Sequence, residues 1–176
     1  MFSFSEPAQI VLKRMGWYPN RKVRTRRWLN SLEKNGFSIP QVAIPILENL
    51  GGLKTWGVTR LIYHQKSYIL RDGTKIRFAL YPDFHFVPTK SEIYDYGLVE
   101  LVEKNLLIQS KNWEICPIGG YMENEHDLFV VSNGSIFEFN RTYDMDYDEE
   151  QIGLSFLGES IEEAVDKLVA RMIAYV

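Results

Sequence analysis

The segment 128–139 constrains the fold more than any other part of the chain. Its sequence, LFVVSNGSIFEF, places Asn133 and Gly134 between two runs of β-branched and aromatic residues. An Asn-Gly pair supplies the positive φ angles that a tight hairpin turn requires, and the flanking residue types favour strands. The sequence therefore predicts two consecutive antiparallel strands joined by a short turn.

Further extended segments are predicted on the N-terminal side of this hairpin. Residues 60–70 and 74–80 are rich in β-branched and aromatic residues, and Arg-Asp-Gly at 71–73 separates them as a hairpin turn does. Residues 113–117 are expected to form another strand. The prolines within 81–88 favour a loop or an edge strand there, because proline cannot donate a hydrogen bond to a neighbouring strand.

Apolar residues recur with the i, i+3, i+4, i+7 spacing of one helix face in several segments. These are residues 5–16, 25–35, 38–51, 93–105 and 160–172. Ser5, Ser38 and Ser160 are the expected N-caps of three of these helices, and Glu163 completes a capping box with Ser160. With helices towards both ends and strands in the middle, we predict an α+β fold with a central antiparallel or mixed sheet.

The length of 176 residues suits one domain, and no repeat or linker divides the chain, so we expect a single domain over 1–176. The first fifteen residues lack the pattern of a secretion signal, and no apolar run approaches the ~20 residues that span a bilayer. We therefore expect a cytoplasmic protein without membrane contact. Cys116 lies in an apolar run and is expected to be a buried hydrophobe rather than a nucleophile.

Charge is distributed unevenly along the chain. The formal net charge is only −3, but residues 1–34 contain eight Lys or Arg against two Glu. Residues 138–166 contain ten Asp or Glu against Arg141 alone. Separated blocks of opposite sign either steer partners or pair with each other in the fold, and the sequence leaves both possibilities open.

The most acidic segment is 143–150, Tyr-Asp-Met-Asp-Tyr-Asp-Glu-Glu. Its alternating aspartates resemble the start of a calcium loop, but Glu149 and Ser155 replace the glycine and the glutamate that such a loop requires. Carboxylates next to tyrosines suit contact with a basic protein, although a solvated loop is the alternative interpretation. The predicted partner-binding residues are Tyr143, Asp144, Asp146, Tyr147, Asp148, Glu149 and Glu150.

No segment shows a catalytic or metal-binding pattern. The histidines, which lack a spacing that places two ligands on one face, are His64, His85 and His126. Gly119–Gly120 lacks the spacing of a phosphate-binding loop and is predicted to be a tight turn. We therefore predict no enzyme activity, no metal and no cofactor. One alternative is a small-ligand enzyme whose site is assembled from Tyr81, His85 and Glu92.

The stretch 21–28, Arg-Lys-Val-Arg-Thr-Arg-Arg-Trp, is the best case for nucleic-acid binding, because arginines beside an aromatic residue can hold phosphates and stack on bases. A sequence pI near 5.7 argues against it, since a basic excess over the whole domain is the usual footprint. A nucleic-acid-associated regulator is therefore kept as an alternative function, and direct nucleic-acid binding is not expected.

Gly-Trp-Tyr-Pro-Asn-Arg at 16–21 resembles the GWxPxR opening of the third family of the SUKH superfamily, bacterial immunity proteins related to a yeast cell-wall regulator. Asn20 stands where a glycine is common. Similar pieces follow in the same order over nearly the whole chain. They are Leu-Gly-Gly-Leu at 50–53, Cys-Pro-Ile-Gly at 116–119, the strand–turn–strand at 132–137 and Leu-Gly-Glu-Ser-Ile-Glu-Glu-Ala at 157–164.

This resemblance implies an α+β fold and a cytoplasmic immunity protein that neutralises a bacterial toxin, often a nuclease, by stoichiometric binding. It implies no catalytic residues, and it leaves the oligomeric state open. The matching positions are Gly16, Trp17, Pro19, Arg21, Pro117 and Gly119, which we expect to be structural. A Trp–Pro pair suits packing, and Arg21 can bond helix-end carbonyls. Together with the charge pattern, this predicts that the acidic segment 143–150 covers a basic toxin.

Overall fold

The computed structural model describes residues 2–55, 67–78, 84–88, 113–121, 126–144 and 149–175. Within these ranges the chain forms four helices and eight strands. The helices are α1 (Glu6–Arg14), α2 (Arg26–Lys34), α3 (Ala43–Leu50) and α4 (Ile161–Ala170). The strands are β1 (Tyr68–Ile69), β2 (Lys75–Phe78), β3 (Phe84–His85), β4 (Ile115–Tyr121), β5 (His126–Val131), β6 (Ile136–Asp144), β7 (Glu149–Gly158) and β8 (Ile173–Tyr175).

The strands form two antiparallel sheets. The larger sheet has the order β3-β4-β5-β6-β7, and the smaller sheet has the order β1-β2-β8. Helix α4 packs on β7 and contacts α1, so that the helices from the two ends of the chain meet. The predicted α+β class is therefore confirmed.

The predicted hairpin forms as β5 and β6, but its turn differs from the two-residue turn that Asn-Gly suggests. Only Gly134 has a positive φ (95°), and the Gly134 N–H donates to the carbonyl of Val131 at 2.8 Å. Asn133 instead accepts a hydrogen bond from the Ser135 N–H through its side chain at 2.9 Å. The loop is therefore three residues long and ends in a left-handed glycine, which is a common hairpin connection.

Two of the predicted helix caps are present. The Ser5 hydroxyl accepts from the Ala8 N–H at 3.3 Å, and the Ser160 hydroxyl accepts from the Glu163 N–H at 3.3 Å. Glu163 accepts in turn from the Glu159 N–H at 2.8 Å. A hydrogen bond from Lys167 and this backbone bond lower the pKa of the Glu163 carboxyl. The two serine bonds satisfy N–H groups that a helix start leaves without intrahelical partners. The Glu163 carboxylate differs from the predicted capping box, because it accepts from Glu159 and not from the N-cap residue Ser160.

The predicted cap at Ser38 is wrong. Helix α3 begins at Ala43, with Val42 as its N-cap and no side-chain capping bond. Pro40 explains the late start, because a proline disfavours the helical conformation of the residue before it. Pro45 is tolerated in the first turn, where its missing N–H has no intrahelical partner to lose.

The predicted turn at Gly119–Gly120 is also wrong, since both glycines lie inside β4. The register of β4 against β5 shifts between Pro117 and Gly119, and a bulge of this kind accommodates a proline within a sheet. A Cβ atom at Gly119 would collide with the backbone of His85 and Phe86. Glycine there permits the close approach of two chain segments.

Other expectations are met only in part. Of the predicted segment 60–70, residues 60–66 lie outside the described residues, and β1 covers Tyr68–Ile69 of the rest. The last helix ends at Ala170 rather than at residue 172. The predicted helix over 93–105 lies outside the described residues. Strands β7 and β8 were not predicted from the sequence.

The core lies between the helices and the two sheets. Its largest fully buried side chains come from every layer, and among them are Leu12, Leu32, Leu47, Ile76, Phe84, Phe86, Ile118 and Phe129. The N-terminal residues are held against α4, because the Ser5 N–H donates to the Asp166 carboxylate at 3.1 Å and the Ser3 N–H to Glu162 at 3.4 Å. Two members of the acidic block are thus engaged with the start of the chain.

Candidate functional site

The residues of the opening motif surround the C-terminal end of α3. The Trp17 indole N–H donates to the side-chain oxygen of Asn49 at 2.7 Å, and the Asn49 amide donates to the Arg21 carbonyl at 3.0 Å. The Val23 N–H donates to the Glu48 carbonyl at 2.8 Å. The loop between α1 and α2 is therefore fastened to the last turn of α3 by both side-chain and backbone bonds.

Arg21 lies directly at this helix end. Its guanidinium donates to the carbonyl of Asn49 at 2.7 Å and to the carbonyl of Gly51 at 2.9 Å. Burial lowers the pKa of Arg21, although arginine stays protonated in proteins. A cation at a helix C-terminus also interacts favourably with the helix dipole. Arg21 thus fixes two chain segments to each other.

The rest of the motif shapes the loop. Gly16 (φ 97°) ends α1, and Asn20 (φ 63°) has the only positive φ of any described non-glycine residue. Asparagine tolerates this left-handed conformation better than most residues do, which explains why it can replace a glycine there. The buried Trp17 ring packs edge-on against Phe4, with 5.5 Å between ring centroids.

Trp28 packs on the same helix end from the other side. A Cβ atom at Gly51 would collide with the Trp28 ring and with the Leu47 carbonyl, and the ring also lies over Gly52. The indole is half-buried in this contact. Trp28 is therefore committed to packing and does not form the stacking platform that the nucleic-acid alternative requires.

A cleft of about 610 Å³ opens beside the motif loop. Its apolar wall comes from Phe2, Trp17, Pro19 and Pro45, and its polar wall comes from Gln9, Asn20, Arg21, Lys22, Glu48 and Asn49. Lys22 and Glu48 form an ion pair at 3.4 Å across part of this wall. The polar groups there are thus largely bonded to one another, and none of them is arranged as a nucleophile beside a base.

The centre of the basic stretch points outward. Arg24, Arg26 and Arg27 are exposed, and within the described residues none of them forms an ion pair. A second cavity, of about 380 Å³, is bounded by residues 22–26 and Glu48. The stretch 21–28 therefore divides into bonded ends and an unpaired cationic centre.

The described residues of the acidic segment, 143–144 and 149–150, lie where β6 ends and β7 begins. Strand β5 pairs with β6 as far as Asn140, whereas β6 continues to Asp144 alongside β7. The last backbone pairs are Tyr143 with Glu150 and Asp144 with Glu149. In the described part of the sheet, residues 141–144 and 149–152 thus form a two-stranded ribbon that continues beyond β5. Three of the predicted contact residues, Asp146, Tyr147 and Asp148, lie outside the described residues.

The proposed dispersed ligand site cannot be assembled from the described residues. His85 is half-buried, and its Nδ1 atom accepts from the Val87 N–H at 3.4 Å. Tyr81 and Glu92 lie outside the described residues, as does His64. Among the described side chains, no group of three His, Cys, Asp or Glu residues could hold a metal ion.

Cys116 is fully buried, and its burial raises the pKa of the thiol to about 12. A thiol with such a pKa is almost entirely protonated at neutral pH and is a poor nucleophile. None of the described helices has the length and apolar character needed to cross a bilayer.

Asn49 is the site residue that the sequence did not reveal. It connects Trp17 to the backbone of Arg21 through one side-chain amide. The local signal is limited to a polar pair, Glu48 and Asn49, in the last turn of a helix whose other residues are apolar, directly before Leu-Gly-Gly-Leu. Its partners lie about 30 residues earlier in the chain, so no short motif contains the contact.

Residues 4–171 match the family model described as SUKH-3 immunity protein. Neither the curated proteins nor the solved structures gave a significant match.

Proposed function

The chain belongs to the SUKH-3 immunity protein family, and from this premise we propose that it neutralises a cognate bacterial toxin by binding it in a stoichiometric complex. Immunity proteins of this family are typically non-catalytic, in agreement with the prediction that the chain is not an enzyme. The family match over residues 4–171 is the observation that supports this function most directly.

The surface that we propose for toxin contact is the acidic segment 143–150. It contains five carboxylates within seven residues and two tyrosines. Its described residues, 143–144 and 149–150, pair with each other beyond the last described pair of β5 and β6. Negative charge accelerates association with a basic protein, and aromatic side chains slow dissociation.

This surface implies a basic toxin. Proteins that act on nucleic acids carry positive charge where they hold phosphates, so a nuclease is the toxin class that fits best. Such a toxin acts inside the cell that must be protected, and we therefore place the complex in the cytoplasm.

The experiment has two stages. Co-expression with a panel of nuclease toxins first identifies the toxin whose lethality this chain suppresses. Association kinetics with that toxin are then measured for a triple variant, Asp146→Asn, Asp148→Asn and Glu150→Gln, at low and high salt. We expect association to slow by about tenfold at low salt and its salt dependence to weaken, because steering by charge is lost.

A matched control removes three exposed carboxylates elsewhere, through Glu33→Gln, Glu114→Gln and Glu159→Gln. This control has the same net charge as the triple variant and should associate almost as fast as the parent chain. Equal kinetics for the two triple variants would exclude the acidic segment from the interface. Failure to suppress any toxin in the panel would count against neutralisation of a nuclease.

A further inference from the structure

A cavity of about 380 Å³ lies at the start of α2, and three of its six lining residues are cationic. The lining consists of Lys22, Val23, Arg24, Thr25, Arg26 and Glu48. Lys22 and Glu48 form an ion pair at 3.4 Å, so these two charges compensate each other. Arg24 and Arg26 are exposed and form no ion pair in the described structure. The lining therefore has a net positive charge that comes from two arginines.

The N-terminal end of α2 lacks the groups that usually compensate a helix start. Its first turn contains no acidic residue, and its first two residues are Arg26 and Arg27. Among the described residues, the backbone N–H groups of these two arginines have no acceptor. Such N–H groups carry the partial positive charge of the helix dipole, so they favour a bound anion. The helix start and the two cavity arginines thus attract the same kind of ligand.

Thr25 points to a ligand independently of charge. The residue is only 7% exposed and lies in the lining of the cavity, so its accessible part faces this cavity. Its hydroxyl makes no capping bond and, within the described structure, no other hydrogen bond. Side chains buried to this degree usually have a partner for their polar atoms. The Thr25 hydroxyl is therefore a donor at the cavity wall that the fold itself does not use.

These donors suit a phosphate group better than a carboxylate. A phosphate group has three strong acceptor oxygens and about two negative charges, whereas a carboxylate has two oxygens and one charge. Arginine binds phosphate through two parallel hydrogen bonds, and the N–H groups of a helix start bind it as well. We propose that the cavity binds a phosphate group, held by Arg24, Arg26 and the Thr25 hydroxyl at the start of α2.

The size of the cavity limits what the phosphate group belongs to. A volume of about 380 Å³ lies near the lower end of the range of about 300–1,000 Å³ that is usual for small-molecule sites. A free phosphate ion and a small phosphate monoester are therefore the candidate ligands. A nucleic-acid strand fits less well, because Trp28 packs on Gly51 and Gly52 and offers no stacking surface at the cavity. This site shares no residue with the acidic segment 143–150 and does not depend on toxin binding.

Amide NMR spectra of the full chain test the site residue by residue during a titration with inorganic phosphate. Sodium chloride keeps the ionic strength constant, so that general screening of the basic surface does not change. We expect saturable shift changes at residues 24–27 with a dissociation constant of about 1–10 mM, because a small ion makes few contacts. A parallel titration with adenosine 5′-monophosphate distinguishes the two ligand sources. Equal dissociation constants assign the site to the phosphate ion, and tighter binding of the ester assigns it to a phosphate monoester.

Two neighbouring arginines provide a matched pair of variants. Arg26→Gln removes a guanidinium from the cavity lining and should weaken phosphate binding at least about tenfold, because charge-assisted hydrogen bonds are lost. Arg27→Gln changes the net charge by the same amount at an exposed residue that does not line the cavity. This control should weaken phosphate binding by less than about twofold, since exposed charges interact weakly.

Thr25→Val tests the hydroxyl without changing the charge. Valine has nearly the shape of threonine, and the hydroxyl has no partner in the described fold, so the denaturation midpoint without phosphate should stay nearly unchanged. Phosphate binding should weaken about tenfold or more, because hydrogen bonds to charged groups are the stronger ones. A dispersed amide spectrum shows that the variant is folded. A merely structural hydroxyl would not give a loss of affinity without a loss of stability.

Four results would overturn the phosphate site. The first is the absence of saturable shift changes at residues 24–27 up to about 100 mM phosphate. The second is equal weakening by Arg26→Gln and Arg27→Gln, which would indicate general attraction to a basic surface. The third is unchanged phosphate affinity in Thr25→Val. The fourth is displacement of bound phosphate by a short single-stranded RNA that lacks terminal phosphates, which would assign the arginines to a nucleic-acid backbone instead.

Discussion

The ends and the centre of the basic stretch 21–28 have opposite environments, although arginine occurs in both. Arg21 and Trp28 turn inward and are bonded to or packed on the end of α3. Arg24, Arg26 and Arg27 turn outward without an ion pair in the described structure. This difference in environment shows that a basic stretch of sequence need not act as one functional unit. Its ends stabilise the fold, and its centre is free to meet a partner.

The largest loss of stability should come from removing the guanidinium of Arg21, which turns inward. Arg21→Met keeps the aliphatic stem but leaves the carbonyls of Asn49 and Gly51 without their donor. We expect the free energy of unfolding to fall by about 2–3 kcal/mol, as is usual for hydrogen bonds to charged groups. Chemical denaturation measures this change. Arg24→Met is the matched control and should change stability by less than about 0.5 kcal/mol. Equal losses in both variants would contradict the distinction between end and centre.

A smaller loss of stability is expected when the Trp17 indole N–H, which donates to Asn49, is removed. Trp17→Phe keeps an aromatic ring in the core but deletes the indole N–H that donates to Asn49 at 2.7 Å. The free energy of unfolding should fall by about 1–2 kcal/mol, because the lost hydrogen bond is accompanied by a smaller ring. Tyr18→Phe at the neighbouring position, which is 57% exposed, should have almost no effect in the same denaturation assay.

The smallest expected change in the free energy of unfolding is an increase, whereas the two changes above are decreases. Arg26→Glu or Arg27→Glu places an anion in the first turn of α2, where the helix dipole favours it. Each substitution should raise the free energy of unfolding by about 0.3–1 kcal/mol at low salt, and the gain should shrink at high salt. Thermal melts at two salt concentrations check both parts. A loss of stability would show that these arginines serve the fold as Arg21 does.

The local elements were predictable from the sequence because their signals are local. The Asn-Gly hairpin, the Ser5 and Ser160 caps and the apolar faces of α1 and α4 each depend on residues within a few positions of one another. Even there, the exact turn was missed, because the Ser135 N–H bonds to Asn133 and a three-residue loop results.

The elements that were missed depend on distant partners. Strand β7 alternates over Gln151–Phe156, but it begins in the acidic segment and contains Gly153 and Gly158, and acidic residues and glycine are depleted in strands, so the sequence alone did not single it out. Strand β8 has three residues and is defined only by its pairing with β2, nearly a hundred positions earlier. The site shows the same limit. Arg21 was recognised as a residue that can bond helix ends, but Asn49 was not identified as its bridge to Trp17.

The contact between α1 and α4 has a consequence for synthesis of the protein on the ribosome. Helix α1 leaves the exit tunnel long before α4, yet Ala8 and Leu12 are buried in a core that also contains Leu168. The Ser3 and Ser5 N–H groups likewise lack their acceptors until Glu162 and Asp166 have been synthesised. The apolar face of the first helix therefore stays uncovered until translation is nearly complete, and a chaperone that shields emerging chains has most to protect at this end.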